Sequence, residues 1–403
     1  MKACGLIVEY NPFHNGHVYH LQQSQEHTQA DVMVAVMSSS FLQRGEPAIM
    51  DKFHRARAAL RSGVDIVLEL PYVYAVQFAD LFARGAVLTL SGLGVDDVCF
   101  GSEAGKIDPF IKGYQHYKQH QQTFQPQLQQ SLKDGLSFPQ ASKKAYESIG
   151  LTTGEVDLSQ PNNILGFSYV KAVEEINSHM KPRTIQRTKS GYHDEQIEHE
   201  IASATSIRRE ILSDRSITSN ALKALPSATI EQLEAYQRKS VLWHDWEAYF
   251  PFLQLLVETR SIEEIRSIHG VIEGLEYRLK QTVHEAETFE HWMQLLKTKR
   301  YTWTRLQRVF VHLLTNTTGE DIEYYKNLKE APYLRILGMT NKGREYIQQQ
   351  KKQIDIPLVS NIQQLDDPLL NLEEKATDAY YAPLKPTIKK NLKKQELTGP
   401  ILM

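Results

Sequence analysis

Short apolar runs and helix-like stretches alternate through the first hundred residues. Ala3–Val8 is apolar and ends in the turn-rich segment 9–16, after which 17–29 has helical spacing. A second run at 32–37, rich in β-branched residues, ends in Ser38, Ser39 and Ser40. Helical patterns at 52–63 and 79–91 lead into two more short runs, Ile66–Leu70 and 97–100. Apolar runs of this kind, without strict alternation, suit strands buried on both faces. With helices of about 10–15 residues between them they predict βαβ units around a parallel sheet.

From 107 to 150 the pattern is helical and rich in Gln and Lys, as expected of an inserted or covering segment. A loop and helix at 161–175, a short strand at 184–187 and a helix opening at 203 follow. Beyond about 214 the strand patterns largely vanish, and 230–237, 246–258, 262–268, 272–284, 288–297 and 306–314 all read as helices. We therefore expect a boundary near 215: an α/β domain over 1–215 and a mainly α-helical domain over 216–403, with an irregular mixed tail after Pro332. A chain of 403 residues is long enough for two such domains.

Composition narrows the function classes. Hydrophobic residues at 41% and charged residues at 23% exclude a disordered or fibrous chain. With 46 Lys and Arg against 48 Asp and Glu, a nucleic-acid partner must meet a local basic patch rather than a polycation. The two cysteines, Cys4 and Cys99, lie far apart inside apolar runs, which argues against a disulfide framework or structural zinc. No run approaches the roughly 18 apolar residues of a membrane span. Glu9, Asn11 and His14 interrupt the N-terminal run before it can act as a signal peptide. We expect a soluble, cytoplasmic protein that uses no membrane.

Candidate chemistry begins directly after the first strand. Parallel sheets bind ligands beyond the carboxyl ends of their strands, where the next helix presents its N-terminus. His14-Asn15-Gly16-His17 stands at that point. Two imidazoles three residues apart on a helix face the same side, and the unpaired N–H groups and dipole there favour phosphate. Gly16 leaves room for a nucleotide to approach the backbone, while His donors can meet charge that develops as pyrophosphate leaves. A plain turn with incidental histidines is the bland alternative.

Three further positions fit a nucleotide site on location alone. Gly101 follows the 97–100 strand, where adenosine can lie against bare backbone, though a tight turn would also explain it. Asn162, or Asn163 one residue on, stands before a helix and serves either a base or ribose contact or an N-cap. Arg187 ends a short strand and can pair with phosphate or stack on adenine, with Thr188 contributing its backbone. Gln43, Arg44, Lys52, Arg55 and Arg57 follow the second strand. One or two can reach phosphate or RNA, and a solvated helix face accounts for most of them.

His14-Asn15-Gly16-His17 resembles the HxGH motif of the nucleotidyltransferase and class I aminoacyl-tRNA synthetase superfamily. Ser203-Ala204-Thr205-Ser206-Ile207-Arg208 resembles its later ISSTxIR element, with Ala202 and Ala204 departing from that pattern. The longer string Gly5-Leu6-Ile7-Val8-Glu9-Tyr10-Asn11-Pro12-Phe13-His14-Asn15-Gly16-His17 is similar to the opening of the bacterial tRNA(Met) cytidine acetate ligase family. So are Phe41-Leu42-Gln43-Arg44-Gly45-Glu46-Pro47-Ala48, Phe100-Gly101-Ser102-Glu103 and Pro161-Asn162-Asn163-Ile164-Leu165-Gly166.

The resemblance implies a Rossmann-like nucleotidyltransferase domain that activates acetate with ATP, needs no nucleophilic side chain, and acetylates the wobble cytidine of elongator tRNA(Met). It implies N(4)-acetylcytidine as product, acetyl-adenylate as intermediate, and AMP and pyrophosphate as by-products, with Mg2+ expected to neutralise the phosphates. It implies His14, His17 and Arg208 as catalytic groups. Nucleotide contacts would come from Ile7, Val8, Glu9, Tyr10, Asn11, Pro12, Phe13, His14, Asn15, Gly16, His17 and His20, then from Gly101, Asn162, Arg187, Thr188, Thr205 and Ser206.

Lys297, Lys299, Arg300, Arg305 and Arg308 fall within twelve residues that contain no acid, interleaved with Tyr301 and Trp303. That mixture suits an RNA backbone and an unstacked base, and we expect tRNA to bind there. The tail lysines Lys385, Lys389, Lys390, Lys393 and Lys394 read rather as a solubilising face. Two rival functions share parts of this pattern. One is a small-molecule adenylyltransferase that makes a dinucleotide cofactor, which needs no long helical half; the other is a non-catalytic, ATP-dependent RNA-binding protein, which needs neither histidine.

Overall fold

The computed structural model describes residues 1–103, 105–153, 156–176, 179–187 and 202–403. Strands β1 (Ala3–Val8), β2 (Val32–Ser38), β3 (Ile66–Leu70), β4 (Asp97–Ser102) and β5 (Lys181–Gln186) are mutually parallel. Their order across the sheet is β5-β4-β1-β2-β3. All residues of β2 and β3 are buried, in keeping with sequences that are apolar except for Ser38 and Glu69. Successive strands are added on one side of β1 as β2 and β3, then on the other as β4 and β5. The direction of winding therefore switches between β1 and β4, and a crevice opens there at the carboxyl ends of the strands.

The segment after Pro332 is regular and belongs to the same sheet, which corrects the expected irregular tail. β6 (Leu334–Met339) runs antiparallel to β3, and β7 (Leu358–Val359) and β8 (Ile401–Leu402) both pair with β6. The division expected at 215 thus assigns to the second part three strands that complete the sheet of the first. Between 216 and 331 the regular elements among the described residues are helices, from Ser219–Ala224 to Gly319–Lys326. One continuous apolar core joins the two, from Val34 and Leu68 in the sheet to Trp292 and Leu313 in the helices.

A second correction concerns the helix Lys52–Arg61, whose basic residues we expected mostly in solvent. Lys52 and Arg55 are 1% and 0% exposed. Lys52 pairs with Glu69 of β3 at 2.5 Å and with Glu396 at 2.9 Å, and Arg335 of β6 pairs with both carboxylates. Burying one charge is costly, but this cluster pairs each cation with two anions. It fastens the C-terminal segment to β3, through partners more than 250 residues apart in the chain that no local pattern shows. Arg55 donates to the carbonyls of Glu9 at 2.7 Å and Ser38 at 2.9 Å, so it ties the ends of β1 and β2 together.

Candidate active site at the carboxyl edge of the sheet

The loop after β1 is built from inward-facing side chains. Val8, Tyr10, Asn11, Pro12 and Phe13 are buried, and Ile7 is partly so. Tyr10 adopts a left-handed φ of 48°, and the Asn11–Pro12 peptide is cis. Asn11 accepts a hydrogen bond through Oδ1 from the Ile49 N–H at 2.8 Å. Glu9 accepts from the Gln43 N–H at 2.7 Å, and burial raises its carboxyl above the usual range. These residues shape and fasten the loop, and what they present to the crevice is the histidine pair.

His14 is the N-cap of the helix Asn15–Thr28 and His17 is its third residue. The His14 Nδ1 accepts from the Gly16 N–H at 3.0 Å, and the His17 Nδ1 accepts from the His14 N–H at 3.2 Å. The rings stack with centroids 3.8 Å apart, and Tyr10 packs edge-on to His17 at 5.0 Å. An Nδ1 that accepts carries no proton, so each neutral ring holds its proton on Nε2. Desolvation, then Arg187 and Arg208, pushes His14 down to about 3; His17 is also lowered, by desolvation and then His14. The result is two uncharged rings of fixed tautomer, each with one N–H to donate. His20, a turn further on, is pushed down to about 4 by desolvation and Arg187. Asn15 turns away and donates to the Lys223 carbonyl at 3.0 Å, which joins this helix to the helical part of the chain.

The other edge of the crevice is formed by β4 and β5. A Cβ on Gly101 would lie 2.9 Å from the Arg187 Cγ, so only glycine lets the arginine stem cross here. Asn162 donates to Glu103 at 2.9 Å and accepts from Arg187 at 3.4 Å. Asn163 is buried and donates instead to the Asp157 carbonyl. Asn162 is therefore the one that joins Gly101 and Arg187 at the crevice, together with Glu103, which the sequence reading did not single out. Thr188 lies outside the described residues.

The helix Ala204–Asp214 begins with Ser203 as its N-cap, accepting from the Ser206 N–H at 3.1 Å. Ser206 is buried and its hydroxyl donates to the Ser203 carbonyl at 2.9 Å. Of the two hydroxyls expected to face phosphate, only that of Thr205 is exposed. Arg208 donates to the Asn11 carbonyl at 2.9 Å and pairs with Glu46 at 2.8 Å. One of its five donors therefore holds the histidine loop and another the loop that carries Glu46, and among the described residues the rest are open to a ligand. Glu46 was also missed: only its position, three residues after Gln43, hinted that this loop returns to the site.

The basic run of the helical part comes from a separate segment, whose Arg308 reaches the Gln43 carbonyl. Lys297 and Lys299 are exposed. Arg300 and Arg305 share Glu273, at 3.6 and 3.7 Å, an acid supplied by another segment. Trp303 is partly buried against the core. In the tail, Lys393 pairs with Glu374 and Asp378, and Lys389 with Asp378, in keeping with a solubilising face. No helix among the described residues is long and apolar enough to cross a membrane.

Comparison with known proteins agrees with this geometry. Residues 1–396 match the family model described as HIGH Nucleotidyl Transferase. The tRNA(Met) cytidine acetate ligase of Oceanobacillus iheyensis is 51% identical over 100% of both chains. That of Bacillus subtilis is 44% identical over 98% of this chain and 96% of its own. The crystal structure of Thermotoga maritima TmcAL bound with alpha-thio ATP superposes with a TM-score of 0.89 at 33% identity, covering 100% of each chain. Its apo form gives 0.90. By sequence along its whole length and by fold, the chain belongs to the tRNA(Met) cytidine acetate ligase family of HIGH nucleotidyl transferases.

Proposed function

We propose that this protein is an ATP-dependent ligase that joins acetate to the wobble cytidine of elongator tRNA(Met). The observation that carries the reading is the pair of neutral Nε2–H donors on His14 and His17, flanked by Arg187 and Arg208 at the β1–β4 crevice. ATP lies with its phosphates toward this pair and its adenosine toward Gly101, Asn162 and Arg187. An acetate oxygen attacks the α-phosphorus in line, and the bond to the β-phosphate oxygen breaks to release pyrophosphate. The two imidazoles donate to oxygens on which charge builds, and donors already fixed in place need no reorganisation as it does so. Thr205 and the remaining Arg208 donors add contacts to the same phosphates.

The exocyclic amine of the cytidine then attacks the acetyl carbonyl. The carbon–oxygen bond to phosphate breaks, AMP departs and the amine loses a proton, leaving N(4)-acetylcytidine. No protein nucleophile is required, because adenylation has already activated the acetyl group. Among the described residues no three His, Cys, Asp or Glu side chains converge to hold a metal ion. Mg2+ would arrive with the triphosphate and would supply charge neutralisation to its oxygens. Lys297, Lys299, Arg300 and Arg305 are the proposed tRNA contacts.

The test is acetate-dependent pyrophosphate release from ATP, measured with and without tRNA. We expect release with acetate alone and acetylcytidine only when tRNA is added. Release that ignores acetate but follows a mononucleotide would favour an adenylyltransferase. No turnover of ATP under any condition would leave only a binding role.

A further inference from the structure

Phe78 and Phe138 are 42% and 48% exposed, and their rings touch with centroids 5.7 Å apart. Single exposed apolar side chains are ordinary. A ring pair brought together from two elements sixty residues apart is a different matter, because each residue is contributed independently to one spot. Phe78 stands just beyond the carboxyl end of β3, on the edge of the sheet that carries the histidines. Phe138 opens the helix Phe138–Ser148 of the inserted segment.

Contacts link this pair in a ring to the basic part of the helical segment. Gln43, whose N–H holds Glu9, donates through its side chain to the Gln77 carbonyl at 2.8 Å, next to Phe78. The Gln43 carbonyl accepts from Arg308 at 3.4 Å. Gly45, with φ of 82°, lies so close to the helix Trp303–Thr315 that a Cβ would be 2.4 Å from the Arg308 backbone nitrogen. Arg305 lies one turn earlier and stacks over Tyr301 at 5.1 Å. Arg300 closes the ring: a Cβ at Gly135, three residues before Phe138, would lie 3.2 Å from its Nη2.

The arginine side of this ring is short of acid. Glu273 serves both Arg300 and Arg305, one Nη of Arg305 is buried without a partner, and Arg308 forms no ion pair among the described residues. Burial, then Arg305 and Arg44, pushes Arg308 down to about 10. A polyanion approaching here relieves that crowding, whereas an ordinary apolar partner does not.

We propose that Phe78 and Phe138 form a stacking platform for unstacked bases of the RNA strand that carries the target cytidine, with Arg300, Arg305 and Arg308 holding its phosphates. The inference rests on the tRNA reading above. A wobble base must leave its stack for its amine to reach an acyl group, and its neighbours then need new faces to lie on. Aromatic side chains provide such faces for any base, and cations beside them follow the backbone.

The test uses the full chain and an elongator tRNA(Met) transcript. Phe78 and Phe138 are both changed to Ala in one variant and both to Leu in another, and Phe138→Trp is a third. Dissociation constants are measured across salt concentration, alongside tRNA-free, acetate-dependent pyrophosphate exchange on the same preparation. The Ala pair is expected to bind the transcript about 10-fold or more weakly, with an unchanged salt slope and wild-type exchange. The Leu pair is expected to bind as weakly as the Ala pair. Phe138→Trp is expected to bind like wild type, with its added emission quenched by RNA.

Wild-type affinity in the Ala pair would overturn the platform while leaving the tRNA reading intact. Full rescue by Leu would overturn stacking, and loss of exchange would overturn its separation from the nucleotide site. A shift in oligomeric state with affinity retained would give this face to a second copy of the chain. A wild-type protein that bound no transcript would instead overturn the tRNA reading and this inference with it.

Discussion

At the β1–β4 crevice the basic rings are stripped of charge by burial, whereas along residues 297–305 the cations stand at or near the surface. His14 and His17 have their protons fixed on Nε2 by two backbone N–H groups, in a pocket that disfavours the imidazolium. Lys297 and Lys299 are exposed to water, and Arg300 and Arg305 share one carboxylate. The difference matches two tasks. Charge that forms briefly on a phosphate is met best by donors already in place. A long polyanion is gathered best by exposed charge, at the cost of sensitivity to salt.

The sharpest way to break this comparison is to remove a crevice donor. His14→Ala and His17→Ala should each slow acetate-dependent pyrophosphate release by about 10-fold or more. His14 also caps a helix, so its Ala variant should lose about 1 kcal/mol of stability as well. His14→Asn separates the two effects, because Asn is a favoured N-cap but cannot reproduce the ring N–H. Slow release in a thermally normal His14→Asn protein is the expected result. Wild-type release in all three variants would remove the histidines from the chemistry.

How far each region could be read from sequence follows from the same contrast. The histidine site is local: two rings three residues apart, a strand before them and a helix after, with the tautomer set by that helix's own first turn. Spacing together with that place between strand and helix therefore pointed to it, and the alternating pattern pointed to the parallel sheet around it. What escaped was contributed from a distance. Glu46 meets Arg208 across 162 positions, and Glu103 meets Asn162 across 59. β6 escaped because Arg335 and Gly338 interrupt its apolar run, and Arg335 becomes a core residue only once Glu69 and Glu396 surround it. The same blindness made Lys52 and Arg55 look like surface charge. In the basic run the absence of nearby acids was real in sequence but not in space, since Glu273 arrives from another segment.

A second prediction follows for the exposed cations. Neutralising Lys297, Lys299 and Arg300 together should weaken tRNA binding and flatten the plot of log affinity against log salt. Each lost phosphate contact removes about 0.7 to 0.9 from that slope. The two lysines should account for most of the change, because Arg300 already spends part of its charge on Glu273. Pyrophosphate release without tRNA should persist in the same preparation. An unchanged slope would move the RNA surface away from 297–300, and loss of tRNA-free release would show that the helical part also supports the nucleotide step.

The smallest expected effect is a missing one. An exposed histidine titrates near 6.5 and would leave an inflection in any rate that depends on it. With His14 down at about 3, His20 at about 4 and His17 also lowered, the free protein's rate of tRNA-independent release should carry no histidine inflection between pH 6 and 8. Stability carries the opposite signature. Between about 6.5 and the lowered folded values the unfolded chain binds more protons than the folded one, so stability should fall as pH falls through that window. Buried His244, also down at about 3, adds to the same slope. Melting temperature and release rate measured on one pH series would separate the two. A rate that rose or fell with a midpoint near 6.5 while the melting temperature stayed level would mean that at least one crevice ring works as an imidazolium, and that both regions of the molecule use charge in the same way.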